Sequence, residues 1–162
     1  CGKGMGGGIP GSGVIGKSRI MDLPEIGDMS STHSANPLSC SAGLAVIDEI
    51  RSKNLVFESK RKGRILIKEL EKIKKDFPKI VNYVFGKGLI AAILFKNPKG
   101  YETAKIIASK VTERCMQMGL LVVHTGRESI KIGPPLTISD AALLEGIQVL
   151  KGSIKFFYEN EY

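Results

Sequence analysis

Long apolar runs, paired cysteines and clustered histidines are all scarce in this sequence, and each shortage excludes a class of protein. No stretch of about twenty apolar residues is present, so we expect no membrane span. The glycine-rich start lacks the apolar centre of a secretory signal. The three cysteines, at positions 1, 40 and 115, are odd in number and widely spaced, which favours reduced thiols in a cytoplasmic protein. His33 and His124 stand alone, so no metal site is predicted.

Acidic residues are also fewer than basic ones. The sequence has 24 lysines and arginines and 16 aspartates and glutamates, which gives a net charge of +8. Such an excess of positive charge is typical of proteins that bind nucleic acid. The basic residues concentrate between positions 60 and 75, on an amphipathic helical pattern that also contains Glu69 and Glu71. Few aromatic residues accompany them for base stacking. A solvated helix face is therefore favoured, and a basic nucleic-acid-binding module is kept as an alternative.

The pattern of apolar residues predicts mixed α and β structure. A helix should begin at Pro37 with Asn36 as its N-cap. Residues 13–16 suggest a short strand and 18–22 a single helical turn. From about residue 53 onward, short strands packed under helices indicate a small α+β domain. The remaining predicted elements are helices at 54–75, 101–118 and 139–158 and strands at 80–84, 89–95, 120–124 and 129–132.

Two motifs near the start point to cofactor chemistry. Lys3 is set among glycines, which have no side chain to keep a large flat ligand away from the backbone. Ser31 and Thr32 come shortly before the Asn36-Pro37 helix start, and a hydroxyl near a helix N-terminus suits an anion. Together they suggest a lysine that forms an imine with a phosphorylated aldehyde cofactor, with a clamp for the phosphate.

A rival motif lies between them. The segment Gly11–Ser18 fits the phosphate-loop pattern G-x-x-x-x-G-K-S, and Asp48 and Glu49 end a Walker-B-like string. A phosphate loop needs a buried strand before it and a long helix after it. Here the preceding residues are glycine-rich and the following ones are stopped by Pro24. A P-loop nucleotide-binding protein is therefore the less favoured alternative.

Taken in order, the motifs resemble those of the class-III aminotransferases, which use pyridoxal 5'-phosphate. The resemblance covers nearly the whole chain. It is carried by Lys3, Gly6-Gly7-Gly8, Ser31-Thr32, Asn36-Pro37-Leu38, the helical run 42–50, Gly86-Lys87-Gly88-Leu89-Ile90, Gly119-Leu120-Leu121-Val122 and Ile130-Lys131-Ile132-Gly133-Pro134-Pro135-Leu136.

This resemblance implies an α/β fold, namely the C-terminal part of a fold-type-I pyridoxal-phosphate-dependent transferase. Residues 1–52 would be the tail of the large cofactor-binding domain and residues 53–162 the small C-terminal α+β domain. Lys3 would be the catalytic and cofactor-binding lysine, and Ser31 and Thr32 would contact the cofactor phosphate, commonly across a homodimer interface. The implied reaction moves an amino group between an amine or amino acid and a keto acid or aldehyde. A mutase or racemase would show much the same motifs.

The chain departs from the family at Lys131, which occupies a place usually held by an arginine that grips a substrate carboxylate. Lysine offers a point charge without the planar fork of arginine. The substrate then lacks that carboxylate, or is held more loosely, or Arg127 compensates. Since the family places its lysine well past the middle of a longer polypeptide, we also expect half of the cofactor pocket to lie outside this sequence and the fragment to be inactive by itself.

Overall fold

The computed structural model describes residues 1–97 and 99–160. The chain divides into two compact units, one comprising Cys1–Leu55 and the other starting at Val56. The boundary predicted between residues 52 and 53 falls close to this division. The assignment of the two units to the tail of a large domain and to a small domain stays a prediction.

The first unit is built around one long helix. It contains a 3-10 turn (Lys3–Gly6), a short helix α1 (Ser18–Met21) and the helix α2 (Pro37–Ser52). Asn36 caps α2 as predicted, because its Oδ1 atom accepts hydrogen bonds from the backbone N–H groups of Leu38 and Ser39.

The strand predicted at residues 13–16 is wrong. These residues form no regular element, and the side chains of Val14 and Ile15 are 76% and 92% exposed. A strand needs a neighbour to pair with its backbone groups. No described strand lies in this unit to supply one, so two β-branched residues in a row are not enough.

The second unit packs three helices on one antiparallel sheet. Its elements are α3 (Leu55–Asp76), β1 (Val81–Lys87), β2 (Ile90–Phe95), α4 (Tyr101–Gln117), β3 (Val123–His124), β4 (Ser129–Ile132) and α5 (Asp140–Asn160). All three predicted helices are confirmed. The predicted strand 120–124 is reduced to its last two residues, because the backbone N–H of Leu120 is still bonded to the carbonyl of Cys115 at the end of α4.

The strands lie in the order β1-β2-β4-β3, and each neighbouring pair is antiparallel. One face of the sheet forms the core with the helices: along β2, Ala91, Ile93 and Phe95 are buried, while the residues between them point to the other face. The largest fully buried side chains of this unit are Leu66, Leu70, Ile73, Ile80, Ile93, Phe95, Ile107, Ile130, Leu150 and Ile154.

The tip of the β1–β2 hairpin contacts α3 backbone to backbone. A Cβ atom added to Gly63 would lie 2.3 Å from the carbonyl oxygen of Gly88, so only glycine allows this approach. Gly88 itself has a φ of +59°, in the left-handed region that favours glycine. A hydrogen bond from the N–H of Leu89 to Oγ of Ser59 (3.2 Å) secures the contact.

None of the helices in the described residues is both long and apolar enough to cross a bilayer. All three cysteines are free thiols. Cys115 is fully buried on α4, and burial raises the pKa of its thiol.

Candidate functional site

Lys3 opens the 3-10 turn with an unusual backbone conformation. Its φ is +53°, a left-handed value that few residues other than glycine adopt. The side chain is exposed, and within the described part of the chain its amine has no hydrogen-bond or ion-pair partner. Lys3 is therefore held by a strained turn while its amine is left unengaged, a combination that is found at functional sites.

The turn is fixed against α2 by a glycine. Gly7 follows the turn with a φ of +60°, and a Cβ atom there would lie 2.9 Å from Cγ2 of Val46 on α2. Gly43, one turn earlier on α2, is buried and faces the carbonyl of Met5. The glycine cluster thus lets the turn that carries Lys3 lie directly on the middle of α2.

Ser31 and Thr32 lie in the loop before α2 and differ in what their polar groups do. The N–H of Ser31 donates to Oγ of Ser34 (2.9 Å), and the two serine hydroxyls are also 2.9 Å apart. The hydroxyl of Thr32 has no such partner among residues 1–97 and 99–160. Asn36 already accepts from the first free N–H groups of α2, and the binding of a phosphate by Thr32 stays a prediction.

The phosphate-loop alternative fails on its structural context. Gly11–Ser18 is preceded by a 3-10 turn rather than a strand, and it is followed by α1, which is only four residues long. Asp48 lies in the middle of α2 instead of at the end of a strand. The string therefore lacks both elements that a phosphate loop requires.

Lys131 lies on the open face of the sheet in the second unit. Its strand neighbours in register are Ala92 on β2 and Val123 on β3, and Ala92 is in turn opposite Phe85 on β1. Side chains that are opposite each other across antiparallel strands share a face. The exposed ammonium group thus stands in an otherwise apolar row, in which Phe85 and Val123 are 57% and 51% exposed.

Arg127 lies in the turn between β3 and β4, outside the strand that carries Lys131. Its carbonyl oxygen is 3.0 Å from Nε2 of His124. The nearby Tyr101 has a raised pKa, chiefly through desolvation and a hydrogen bond with Glu128, and the positive charge of Arg127 opposes this rise. Compensation of Lys131 by Arg127 stays a prediction.

The basic face predicted for α3 is only partly solvated. Lys62 is buried, with Nζ donating to the carbonyl of Ile138 (2.6 Å). Arg61 binds both carboxylate oxygens of Asp140 (2.7 and 2.6 Å) and also Glu58. The burial of Lys62 could have been predicted from the sequence, because Lys62 stands one helical turn before the core residue Leu66 and so shares its face of the helix. These bonds join α3 to the segment that leads from β4 into α5.

Comparison with known proteins decides the family. The model of the class-III aminotransferases matches residues 1–154 of this chain. The chain belongs to this family. The leucine/methionine racemase of Thermococcus litoralis is 38% identical over 154 residues, which are 94% of this chain and 34% of the racemase. A probable 4-aminobutyrate aminotransferase of Bacillus subtilis is 33% identical over 94% of the chain and 36% of that protein.

Solved structures agree with this family. An acetylornithine aminotransferase from Elizabethkingia anophelis superimposes with a TM-score of 0.80 at 30% identity, over 96% of this chain and 38% of that one. An ornithine aminotransferase from Plasmodium yoelii gives 0.75 at 27% identity, over 86% and 35%. The α/β fold of this class-III chain is thus that of part of a fold-type-I transaminase. The chain spans about a third of the length of the curated relatives it matches.

The class-III family uses pyridoxal phosphate, and the residues of the first unit fit that cofactor. Among the residues that the structure describes, the amine of Lys3 stands among glycines without a partner, and the hydroxyl of Thr32 stands before a helix without one. An aldehyde needs the first kind of group and a phosphate the second. In the described residues no group of three histidines, cysteines or carboxylates could hold a metal ion.

Proposed function

We propose that the protein carries out pyridoxal-phosphate-dependent transamination between an amine or amino acid and a keto acid or aldehyde. The observation that carries this proposal is the turn at Lys3, in a chain that matches the class-III model over residues 1–154. The lysine has a left-handed backbone, its amine has no partner among the described residues, and Gly7 locks the turn onto α2.

Each candidate residue has a separate task. The bound cofactor would supply the electron sink that stabilises a carbanion at the substrate Cα. Lys3 would hold the cofactor and then move the Cα proton as a general base. Thr32 would donate its hydroxyl to a phosphate oxygen, with Ser31 beside it. Lys131 would attract a substrate carboxylate as a point charge, and its apolar neighbours on the open sheet face would strengthen that attraction.

The partners follow from the same reaction. The substrates are a small amino donor and a keto acid or aldehyde acceptor. The working protein is a homodimer, because in this family the contact with the cofactor phosphate is commonly made across a dimer interface. The three free thiols fit a cytoplasmic location.

Covalent trapping tests the role of Lys3. The complete gene product that contains this sequence is mixed with pyridoxal phosphate, reduced with borohydride and digested, and the peptides are weighed. We expect the cofactor mass on the peptide with Lys3 and its loss in Lys3→Ala. Lys17→Ala, which removes another exposed lysine of the same unit, should leave trapping intact. Trapping that persists in Lys3→Ala would refute the assignment.

The substrate role of Lys131 has its own test. Lys131→Gln should raise KM for a carboxylate substrate about tenfold, the size expected for one charge-assisted contact, while kcat changes less. Lys131→Arg should lower KM, because arginine restores a bidentate grip. Lys87→Gln removes a lysine from the same open face at the far end of β1 and serves as control. Equal effects of Lys131→Gln and Lys87→Gln would show that Lys131 has no specific role.

Racemisation is the second candidate, favoured by the 38% identity to a leucine/methionine racemase. The two reactions share proton removal at Cα and differ in whether the amino group leaves. Incubation of the complete protein with L-leucine and a second keto acid as amino acceptor separates them by their products. D-leucine without keto acid indicates racemisation, and keto acid formed in step with an aminated acceptor indicates transamination.

A further inference from the structure

A basic groove lies in the second unit, between α3 and the β1–β2 hairpin. Its volume is about 380 Å³. The groove is lined by Lys60, Gly63, Arg64, Ile67, Lys68, Gly86 and Gly88. Neither Lys3 nor Lys131 is among its lining residues.

The three cations of the groove form one row. Lys60, Arg64 and Lys68 follow each other at intervals of four residues on α3, so they share a face and span about 12 Å along the helix axis. Like charges at this spacing repel one another and weaken a helix. All three are exposed, and within the described residues none has a carboxylate within 4.0 Å.

The cations of α3 that flank this row are neutralised, whereas Lys74 and Lys75, at the end of the helix, have no carboxylate within 4.0 Å in the part of the chain that the structure describes. Arg61 is paired with Glu58 and Asp140, and Lys72 is paired with Glu69. The acidic residue next along the row, Glu71, makes no ion pair with Lys68 within 4.0 Å in the described structure. Positive charge is therefore left uncompensated at the groove and compensated beside it.

The floor of the groove is bare backbone. A Cβ atom on Gly63 would lie 2.3 Å from the carbonyl oxygen of Gly88, and one on Gly86 would lie 2.4 Å from the carbonyl oxygen of Ile90. A Cβ atom on Gly88 would lie 2.6 Å from Oγ of Ser59. Ile67 is the one apolar side chain among the lining residues. A compact ligand can thus settle between the three cations without displacing a side chain.

We propose that this groove binds an oligophosphate, a small anion with two or more linked phosphoryl groups. Three separate cations call for more than one negative charge on the ligand. The guanidinium of Arg64 can bind two phosphate oxygens at once, and lysines act as point charges beside it. Nucleic acid is a poorer fit, because no aromatic side chain lines the groove for base stacking.

Calorimetric titration with inorganic triphosphate in about 150 mM salt tests the proposal, since salt at that level screens diffuse surface attraction. We expect one site per chain. The triple variant Lys60→Gln, Arg64→Gln, Lys68→Gln should bind at least about tenfold more weakly, since it removes three charge-assisted contacts. Its matched control changes Lys79, Lys99 and Lys155 to glutamine, which alters net charge equally at exposed positions outside the groove. That control should keep the affinity within about threefold.

Three results would overturn the proposal: equal weakening in both triple variants, no heat with the unmodified protein at 1 mM ligand, or tighter binding of a single-stranded oligonucleotide than of triphosphate. Single Arg64→Gln, which leaves the two lysines in place, covers the case in which the triple variant does not fold. Lys3→Ala should bind triphosphate normally. The proposal for the groove and the proposal for the cofactor site can therefore be refuted separately.

Discussion

Replacing Gly63 with alanine should destabilise the second unit, although the same change in an exposed helix is normally favourable. Alanine has about 1 kcal/mol better helix propensity than glycine. At Gly63, however, the new methyl group would lie 2.3 Å from the carbonyl oxygen of Gly88 and 2.6 Å from its Cα. Both neighbours are backbone atoms, so no side chain can rotate away.

The magnitude follows from what has to move. Ordinary contact begins at 3.4 Å, so the hairpin must withdraw from α3 by about 1 Å. Overpacking of this kind costs about 1–3 kcal/mol. Loss of the bond between Leu89 N–H and Ser59 Oγ adds about 1 kcal/mol. After the gain in helix propensity, we expect a net loss of about 2 kcal/mol, or a melting temperature lower by about 8 °C.

Thermal unfolding followed by circular dichroism provides the assay. Gly152→Ala is the matched control, because Gly152 lies in α5, is exposed and has no atom within 4 Å of the added Cβ. That variant should be more stable by about 0.5–1 kcal/mol. If Gly63→Ala is as stable as the unmodified protein, or more stable, the close contact between α3 and the hairpin does not exist as described.

Three further predictions concern the caps, the ion pairs and the thiols. Asn36→Ala should cost about 1 kcal/mol of helix stability, because two N–H groups of α2 lose their acceptor, and hydrogen exchange at the start of α2 should rise. Hydrogen bonds from Arg61 hold the pKa values of Glu58 and Asp140 below their ordinary range. These pairs therefore stabilise the fold above the ordinary carboxyl pKa, and the stabilisation is lost as the pH falls through the lowered pKa values. Arg61→Met lacks the pairs, so its melting temperature should fall less between pH 6 and pH 3 than that of the unmodified protein. Cys115 should resist thiol reagents until unfolding while the two exposed cysteines react, and equal labelling rates would contradict its burial.

Helix boundaries were predictable where capping chemistry is local. Asn36 and Ser139 stand at the starts of α2 and α5, and each side chain accepts a hydrogen bond from the backbone N–H of the first turn. Val14 and Ile15 show the limit of local patterns, since their β propensity had no partner strand to pair with. The candidate lysines were found from motif order and resemblance, whereas the left-handed backbone of Lys3 and the local bond that engages Ser31 needed coordinates.

The sequence by itself determined the family, because the order of its motifs can be read along nearly the whole chain. It also determined the three helices of the second unit, because caps and helical periodicity act over a few residues. Only the tertiary structure decided that Lys62 is buried, that Lys131 stands in an apolar row of the open sheet face, and that Lys60, Arg64 and Lys68 line a groove floored by glycine. These outcomes depend on which distant backbone segments meet. The spacing of residues along one helix or strand does not predict which other segment packs against it.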